Sequence, residues 1–313
     1  MKQKFIRILA LIITVVLLAM TFGACKSSEK EEENVQSTTS SGNESQGNEE
    51  ETVKTTADVR IMSYNILNPE WTNSANGAAE DRINIVRDII IDYAPDVIGL
   101  QEASYGWHAA LEVAVCENGD YRFACKFNNT ERHNMTTFLY NSKTLKLVDE
   151  YVIDIVTYSD IRVVSVAVFE KLSDGTRFVV TNTHPAPPGQ TEDYIRHMTY
   201  IPTVLKYELK KYKDLPVILT GDFNTREQSE YYGSFMKDLS VKDAKYEAKK
   251  ILHNYSTFVG LNNPPREGNW SCIDHIFIND KATVELFDVI IDHDAQKASD
   301  HLPIYADIML KKR

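Results

Sequence analysis

The chain has 313 residues of ordinary globular composition, enough for one large domain or two small ones. Its 45 acidic residues against 34 basic ones give a formal charge of −11, which argues against a duplex-DNA binder with a basic footprint. The four cysteines show no CxxC or Cys/His metal spacing, which leaves a Cys116–Cys125 disulfide and buried free thiols both open.

The chain begins with a basic segment (Lys2, Lys4, Arg7), an apolar run from Ile8 to Met20, and small residues before Cys25. That order reads as a secretory signal over residues 1–24. The small-small-Cys ending resembles a bacterial lipobox, which implies a lipid on Cys25 and an exported protein held at the cell membrane or outer membrane. An uncleaved transmembrane anchor is the alternative, but the apolar run is slightly short for a span. Residues 25–57 are rich in Ser, Glu, Asn, Gln, Gly and Thr and nearly empty of apolar residues. Such a segment cannot bury enough surface to offset its ordering entropy and reads as a disordered tether. The folded domain is expected over 58–313, and it stays acidic.

Within that domain the first strand, Val59 to Ile66, carries Asn65 near its end. Residues 79–93 predict a helix with Ile83, Val86, Ile89 and Ile90 on one face. A short apolar strand after Pro95 ends at Glu102. A helix over 105–116 and strands at 121–127, 136–140 and 145–155 follow, with His133 in a polar surface loop between two of them. Residues 162–169 and 177–184 form a hairpin about Asp174-Gly175, and the second strand ends at His184. Residues 191–211 predict a helix with Ile195, Met198, Ile201, Val204 and Leu205 facing the core, kinked or divided at Pro202.

Val217-Ile218-Leu219-Thr220-Gly221-Asp222-Phe223-Asn224 is the most informative stretch. A fully apolar run suits the centre of a covered sheet, Gly221 is placed for a turn, and Asp222 and Asn224 then project together. A helix over 229–239 follows. The polar stretches 243–255 and 262–269 are candidates for substrate selectivity. A strand over 270–278 carries Asp274 near its start, with His275 pointing the other way as a structural residue. A strand over 284–291 comes next, and Asp300-His301 precede the last strand, 304–310.

One polar strand tip is unremarkable, since Asp, Asn and Glu are ordinary turn or surface residues. Asn65, Glu102, His184, Asp222 with Asn224, Asp274, and Asp300 with His301 together are a set of hard oxygen donors and two histidines. Two sheets packed face to face, with helices outside, would bring them to one edge. Such a set suits phosphate-ester hydrolysis: carboxylate and carboxamide hold a divalent cation, and an Asp-oriented His handles a proton.

The ordered segments Ser63-Tyr64-Asn65, Leu100-Gln101-Glu102, Asn182-Thr183-His184, Gly221-Asp222-Phe223-Asn224, Ile273-Asp274-His275 and Ser299-Asp300-His301 resemble the motif set of the endonuclease/exonuclease/phosphatase, or DNase I-like, family. The resemblance spans about Val59 to Leu310 and implies a four-layer α/β sandwich of two mainly antiparallel sheets. It implies Glu102 as principal ligand of Mg²⁺ or Mn²⁺, with Asn65 and Asp300 beside it. His301, paired with Asp274, would be the base or phosphate contact. Asp222 and Asn224 would orient water and bind phosphoryl oxygens, with His184 as a further catalytic group. The usual Asp-Tyr of one motif is Asp274-His275 here. Arg162 at a strand start is a weaker candidate for phosphate contact. The expected activity is phosphoester hydrolysis on a lipid head-group or sugar/inositol phosphate by a membrane-tethered monomer. An extracellular nuclease is the second reading, and an inactive binding module the third.

Overall fold

The computed structural model describes residues 56–69, 79–117, 119–126, 135–156 and 161–312. The expected signal peptide, Cys25, all but the last two residues of the tether, and His133 lie outside these.

The elements are β1 (Val59–Asn65), α1 (Ala79–Tyr93), β2 (Val97–Gln101), α2 (Tyr105–Leu111), β3 (Tyr121–Ala124), β4 (Phe138–Asn141), β5 (Leu145–Val156), β6 (Ile161–Lys171), β7 (Arg177–Thr183), α3 (Thr191–Glu208), β8 (Val217–Asp222), α4 (Glu230–Leu239), β9 (Lys242–Asp243), α5 (Ala244–Glu247), β10 (Lys250–Ile251), β11 (Asp274–Ile278), β12 (Ala282–Val289), α6 (Ala295–Ala298) and β13 (Ile304–Leu310). Among the described residues one sheet runs β10-β12-β13-β1-β2-β4-β3 and the other β5-β6-β7-β8-β11-β9. Most pairings are antiparallel; β1 with β2, β7 with β8, and β10 with β12 are parallel. This is the sandwich expected from the sequence.

Period-two side chains sort into layers. On β8, Ile218 joins the core shared with β1, β2 and β13, while Val217 and Leu219 face a second core under α3 and α4. Ile276 and Phe277 of β11 divide the same way. Polar bolts cross between the sheets. Gln101 Nε2 donates to Asn182 Oδ1 at 2.7 Å, and Asn182 Nδ2 donates to Leu100 O at 2.7 Å. Gly99 permits this approach, since a Cβ there would lie 2.1 Å from Thr220 Oγ1.

Several local expectations need correction. Gly221 makes no turn; it lies within β8, where a Cβ would sit 2.4 Å from Thr183 O, so it serves close strand packing. Pro202 does not divide α3, which is continuous with Pro202 buried. The buried face of α3 is Tyr194, Met198, Ile201 and Leu205, whereas Ile195 is 39% exposed. Met198, Ile201 and Leu205 thus face the core as expected, with Val204 packed at its margin, and only Ile195 gives way to Tyr194, whose hydroxyl lies 2.8 Å from Thr225 Oγ1. The segment 105–116 ends as a π-helical turn from Glu112 to Glu117. The strand expected from Trp270 begins at Asp274, because Ser256 Oγ captures the Trp270 and Ser271 N–H groups at 3.2 Å. Cys116, Cys125 and Cys272 are buried free thiols, which decides against the disulfide.

Candidate active site

β8 ends on Asp222 and β11 begins on Asp274, and the two residues face each other across the antiparallel ladder. Both are buried. Like charges directly opposed are unfavourable unless other groups compensate, and here the compensation is specific. His301, leading into β13 of the other sheet, donates from Nδ1 to Asp274 Oδ2 at 2.8 Å. Its Nε2 stands 3.6 Å from Asp222 Oδ2 and 4.0 Å from Asp300 Oδ1. Burial disfavours an imidazolium, but Asp274, Asp222 and Asp300 outweigh it and hold His301 up to about 10. Burial pushes the Asp222 carboxyl up to about 7; the His301 charge opposes this and the Asp274 charge adds to it.

Asp222 is fixed from three sides. Asn224, in the left-handed region at φ 50°, donates its N–H to Asp222 Oδ1 at 2.8 Å. Asn tolerates that conformation better than bulkier residues. Asn65 Nδ2 donates to Asp222 Oδ2 at 3.0 Å, and His184 Nε2 lies 3.3 Å from the same oxygen. Burial drives His184 well below the usual histidine range, with Arg162 and His301 adding to the effect, so it meets Asp222 as a neutral imidazole. The loop after His184 is held by Asn224 Nδ2 on Pro185 O at 3.1 Å and by the Ala186 N–H on His197 Nδ1 at 3.0 Å. Arg162 donates to His184 O at 3.4 Å.

Glu102 also lies in the left-handed region, at φ 59°, a costly backbone for a glutamate and one that aims its carboxylate at the site. Its Oε1 accepts from Asn65 Nδ2 at 3.1 Å and its Oε2 from the Asn68 N–H at 2.7 Å. Asn65 thus links Glu102 to Asp222. Its Oδ1 takes the Leu67 N–H at 3.0 Å and retains a second lone pair.

The donor chemistry fits a hard divalent cation. Glu102 and Asp300 share one cleft, Asn65 adds a carbonyl, and Asp274 Oδ1 is buried without a hydrogen-bond partner. Ligand atoms of Asp222, Asp274 and His301 also lie within 4.8 Å of one another, the one such group found among the described residues.

These residues open on a cleft of about 890 Å³ lined by Glu102, His184, Asp222, Asn224, Asp300 and His301. Asp274 stands behind His301, and Asn65 is buried between the carboxylates. Arg162 also reaches the cleft. His275 does not: it lies on the opposite face of β11, with Nδ1 2.9 Å from Asp243 Oδ2. Sequence reasoning missed Arg226, Tyr231 and Phe258, which line the cleft from a loop, a helix start and an isolated bridge. None carries the strand-tip signature, and only their position marks them. The stretches 243–255 and 262–269 do not line it, because 242–251 is spent on β9, α5 and β10 at the sheet margins.

The sequence pattern of the Endonuclease/Exonuclease/phosphatase family matches residues 62–301. No curated protein sequence matches the chain significantly. Among solved structures, it is similar to the mannosyl-6-phosphatase of Bacteroides thetaiotaomicron, at TM-score 0.70 and 20% identity over 80% of this chain and 100% of that one. It is similar to an endonuclease/exonuclease/phosphatase from Bacteroides vulgatus, at TM-score 0.68 and 20% identity over 80% and 98%. It is also similar to D. rerio TDP2 complexed with single-strand DNA product, at TM-score 0.60 and 18% identity over 80% and 98%.

Proposed function

Since the chain belongs to the Endonuclease/Exonuclease/phosphatase family, we propose that this phosphoester hydrolase uses Mg²⁺ or Mn²⁺ and acts on a lipid head-group or sugar/inositol phosphate. The observation that carries the chemistry is the Asp222–His301–Asp274 cluster at the floor of a cleft that also holds Glu102 and Asp300.

A cation held by Glu102 and Asp300, with Asn65 beside them, would neutralise phosphate charge and polarise the P–O bond. Asp222, raised toward neutrality and pinned by Asn65 and Asn224, takes a proton from the attacking water. His301 is held protonated by its three carboxylate neighbours, so it meets the developing charge on a phosphoryl oxygen as a cation. This favours phosphate contact over base among the two roles open to it. Asp274 fixes the ring through Nδ1 and leaves Nε2 toward the cleft. Neutral His184 offers an N–H beside Asp222.

The cleft volume lies in the range of small-molecule sites, and its apolar wall from Pro187, Tyr231 and Phe258 suits a compact head group. The charge of −11 is unfavourable for long nucleic acids. The likeness to a mannosyl-6-phosphatase supports the sugar-phosphate arm, and the likeness to a DNA-bound relative supports a nuclease as the second reading. A panel of sugar phosphates, inositol phosphates, sphingomyelin, plasmid DNA and RNA tests the choice. Preferential cleavage of a head-group or sugar phosphate is expected; preferential cleavage of DNA or RNA would replace it.

The reading extends to location. Export through the N-terminal signal and lipid attachment at Cys25 would hold a monomeric enzyme at a bacterial membrane. Cys25→Ser should then move the protein from the membrane to the soluble fraction. Continued detergent-dependent extraction would favour a transmembrane anchor instead.

A further inference from the structure

Asp274 and His301 form the 2.8 Å bond on which the site depends, yet they belong to different sheets and no backbone ladder joins β11 to β13. The spacing between them has to be set by something else.

Residues 256–260 run between the two and bond to both. Phe258 N–H donates to Ser271 O at 3.0 Å, while Val259 and Gly260 N–H donate to Asp300 O at 2.9 and 3.0 Å. Thr257 sits at the centre and is buried. Its Oγ1 accepts the N–H of Ile273 at 3.1 Å and of Asp274 at 3.2 Å. The same hydroxyl donates to Ser271 O at 3.4 Å. Two lone pairs and one hydrogen are thereby all engaged. Its carbonyl accepts the Leu302 N–H at 2.7 Å, one residue beyond His301. One residue therefore grips the backbone of Asp274 with its side chain and the backbone beside His301 with its main chain.

We infer that Thr257 is a positioning residue that sets the Asp274–His301 spacing through its hydroxyl. It does not line the cleft, so it acts through the pair and not on the substrate. The inference rests on the reading of His301 as the group that meets the phosphate. Valine has nearly the shape of threonine but removes the acceptor of the buried Asp274 N–H and of the half-buried Ile273 N–H. The start of β11 then shifts to find other partners, and a misplacement of about 1 Å at a reacting group costs up to about a hundredfold in rate.

The test compares the full-length wild type with Thr257→Val and Thr257→Ser, by steady-state kinetics on the preferred phosphoester and by proton NMR of the His301 Nδ1–H in histidine-labelled protein. Thr257→Val should lower kcat about tenfold to a hundredfold with KM within about twofold, and should move the Nδ1–H resonance. Thr257→Ser should keep both near wild type. A Thr257→Val kcat within twofold of wild type, with the resonance in place, overturns the inference. So does a Thr257→Ser variant as impaired as Thr257→Val, since that would place the effect in the methyl group. Should Thr257→Val not fold, Thr257→Ala removes the same acceptor and is judged by the same criteria. Should the wild type hydrolyse no phosphoester, the functional reading falls, and the resonance alone decides whether Thr257 sets the spacing.

Discussion

The two faces of β11 carry the same chemical pair in different company. On one face Asp274 accepts from His301 Nδ1 at 2.8 Å; on the other His275 Nδ1 meets Asp243 Oδ2 at 2.9 Å. All four residues are buried, and in both pairs the acid lifts the histidine against the effect of burial. The second ring nitrogen separates them. His275 Nε2 donates to Thr225 O at 2.9 Å, and its ring is walled in by Phe223, Tyr232 and Phe277. His301 Nε2 has only longer contacts, Asn65 Nδ2 at 3.5 Å and Asp222 Oδ2 at 3.6 Å, and borders the cleft. A histidine–aspartate pair is thus structural when both nitrogens are held by short bonds inside the protein, and available for chemistry when one has only long contacts and faces a cleft.

Substitution at each face should separate the two roles. The largest effect is expected at His301→Ala: a fall in kcat per folded molecule of at least about 10³-fold, roughly 4 kcal/mol of transition-state stabilisation, together with a loss of stability, because buried Asp274 loses its side-chain partner. A loss below about tenfold would remove His301 from the chemistry. His275→Ala should cost stability without the loss of kcat, about 3 kcal/mol from stranding Asp243. The lower end of the range applies because Tyr232 Oη and the Lys245 N–H still donate to Asp243, at 2.9 and 2.8 Å. Urea melts measure this, and kcat per folded molecule should stay within about twofold. Glu102→Ala should raise the metal concentration for half-maximal activity by about tenfold or more, about 1.4 kcal/mol; an unchanged metal titration would exclude Glu102 as a ligand.

The smallest effect is in pH. His275 binds its proton more tightly when folded than unfolded, the Asp243 bond outweighing burial. Its contribution is therefore complete below the ordinary histidine pKa, about 6.5, and is lost as the pH rises through the raised folded value. The stability gap between wild type and His275→Gln should be widest near pH 6 and narrow on the alkaline side. A gap that widens with pH would mean that His275 is neutral in the fold.

The same contrast explains what could be read from the sequence. Asn65, Glu102, His184, Asp222, Asp274 and His301 were legible because each ends or begins a hydrophobic strand, and strand ends of a sandwich gather at one edge. The opposite direction of His275 followed from strand alternation alone. Thr257, Phe258 and Tyr231 were not legible, since no periodic pattern marks them and their positions depend on how 256–260 threads between the sheets. Gly221 was misread because its neighbour across β7, Thr183 O, is visible only in three dimensions.

Hydrolysis of bis-p-nitrophenyl phosphate and of a sugar phosphate by the purified chain, titrated first with EDTA and then with Mg²⁺ or Mn²⁺, tests the proposal that the cluster around Asp222, Asp274 and His301 is a metal-dependent phosphoesterase centre. Turnover should vanish on chelation and return with added metal in the wild type but not in His301→Ala. Full turnover in EDTA, or equal recovery in both proteins, would contradict it.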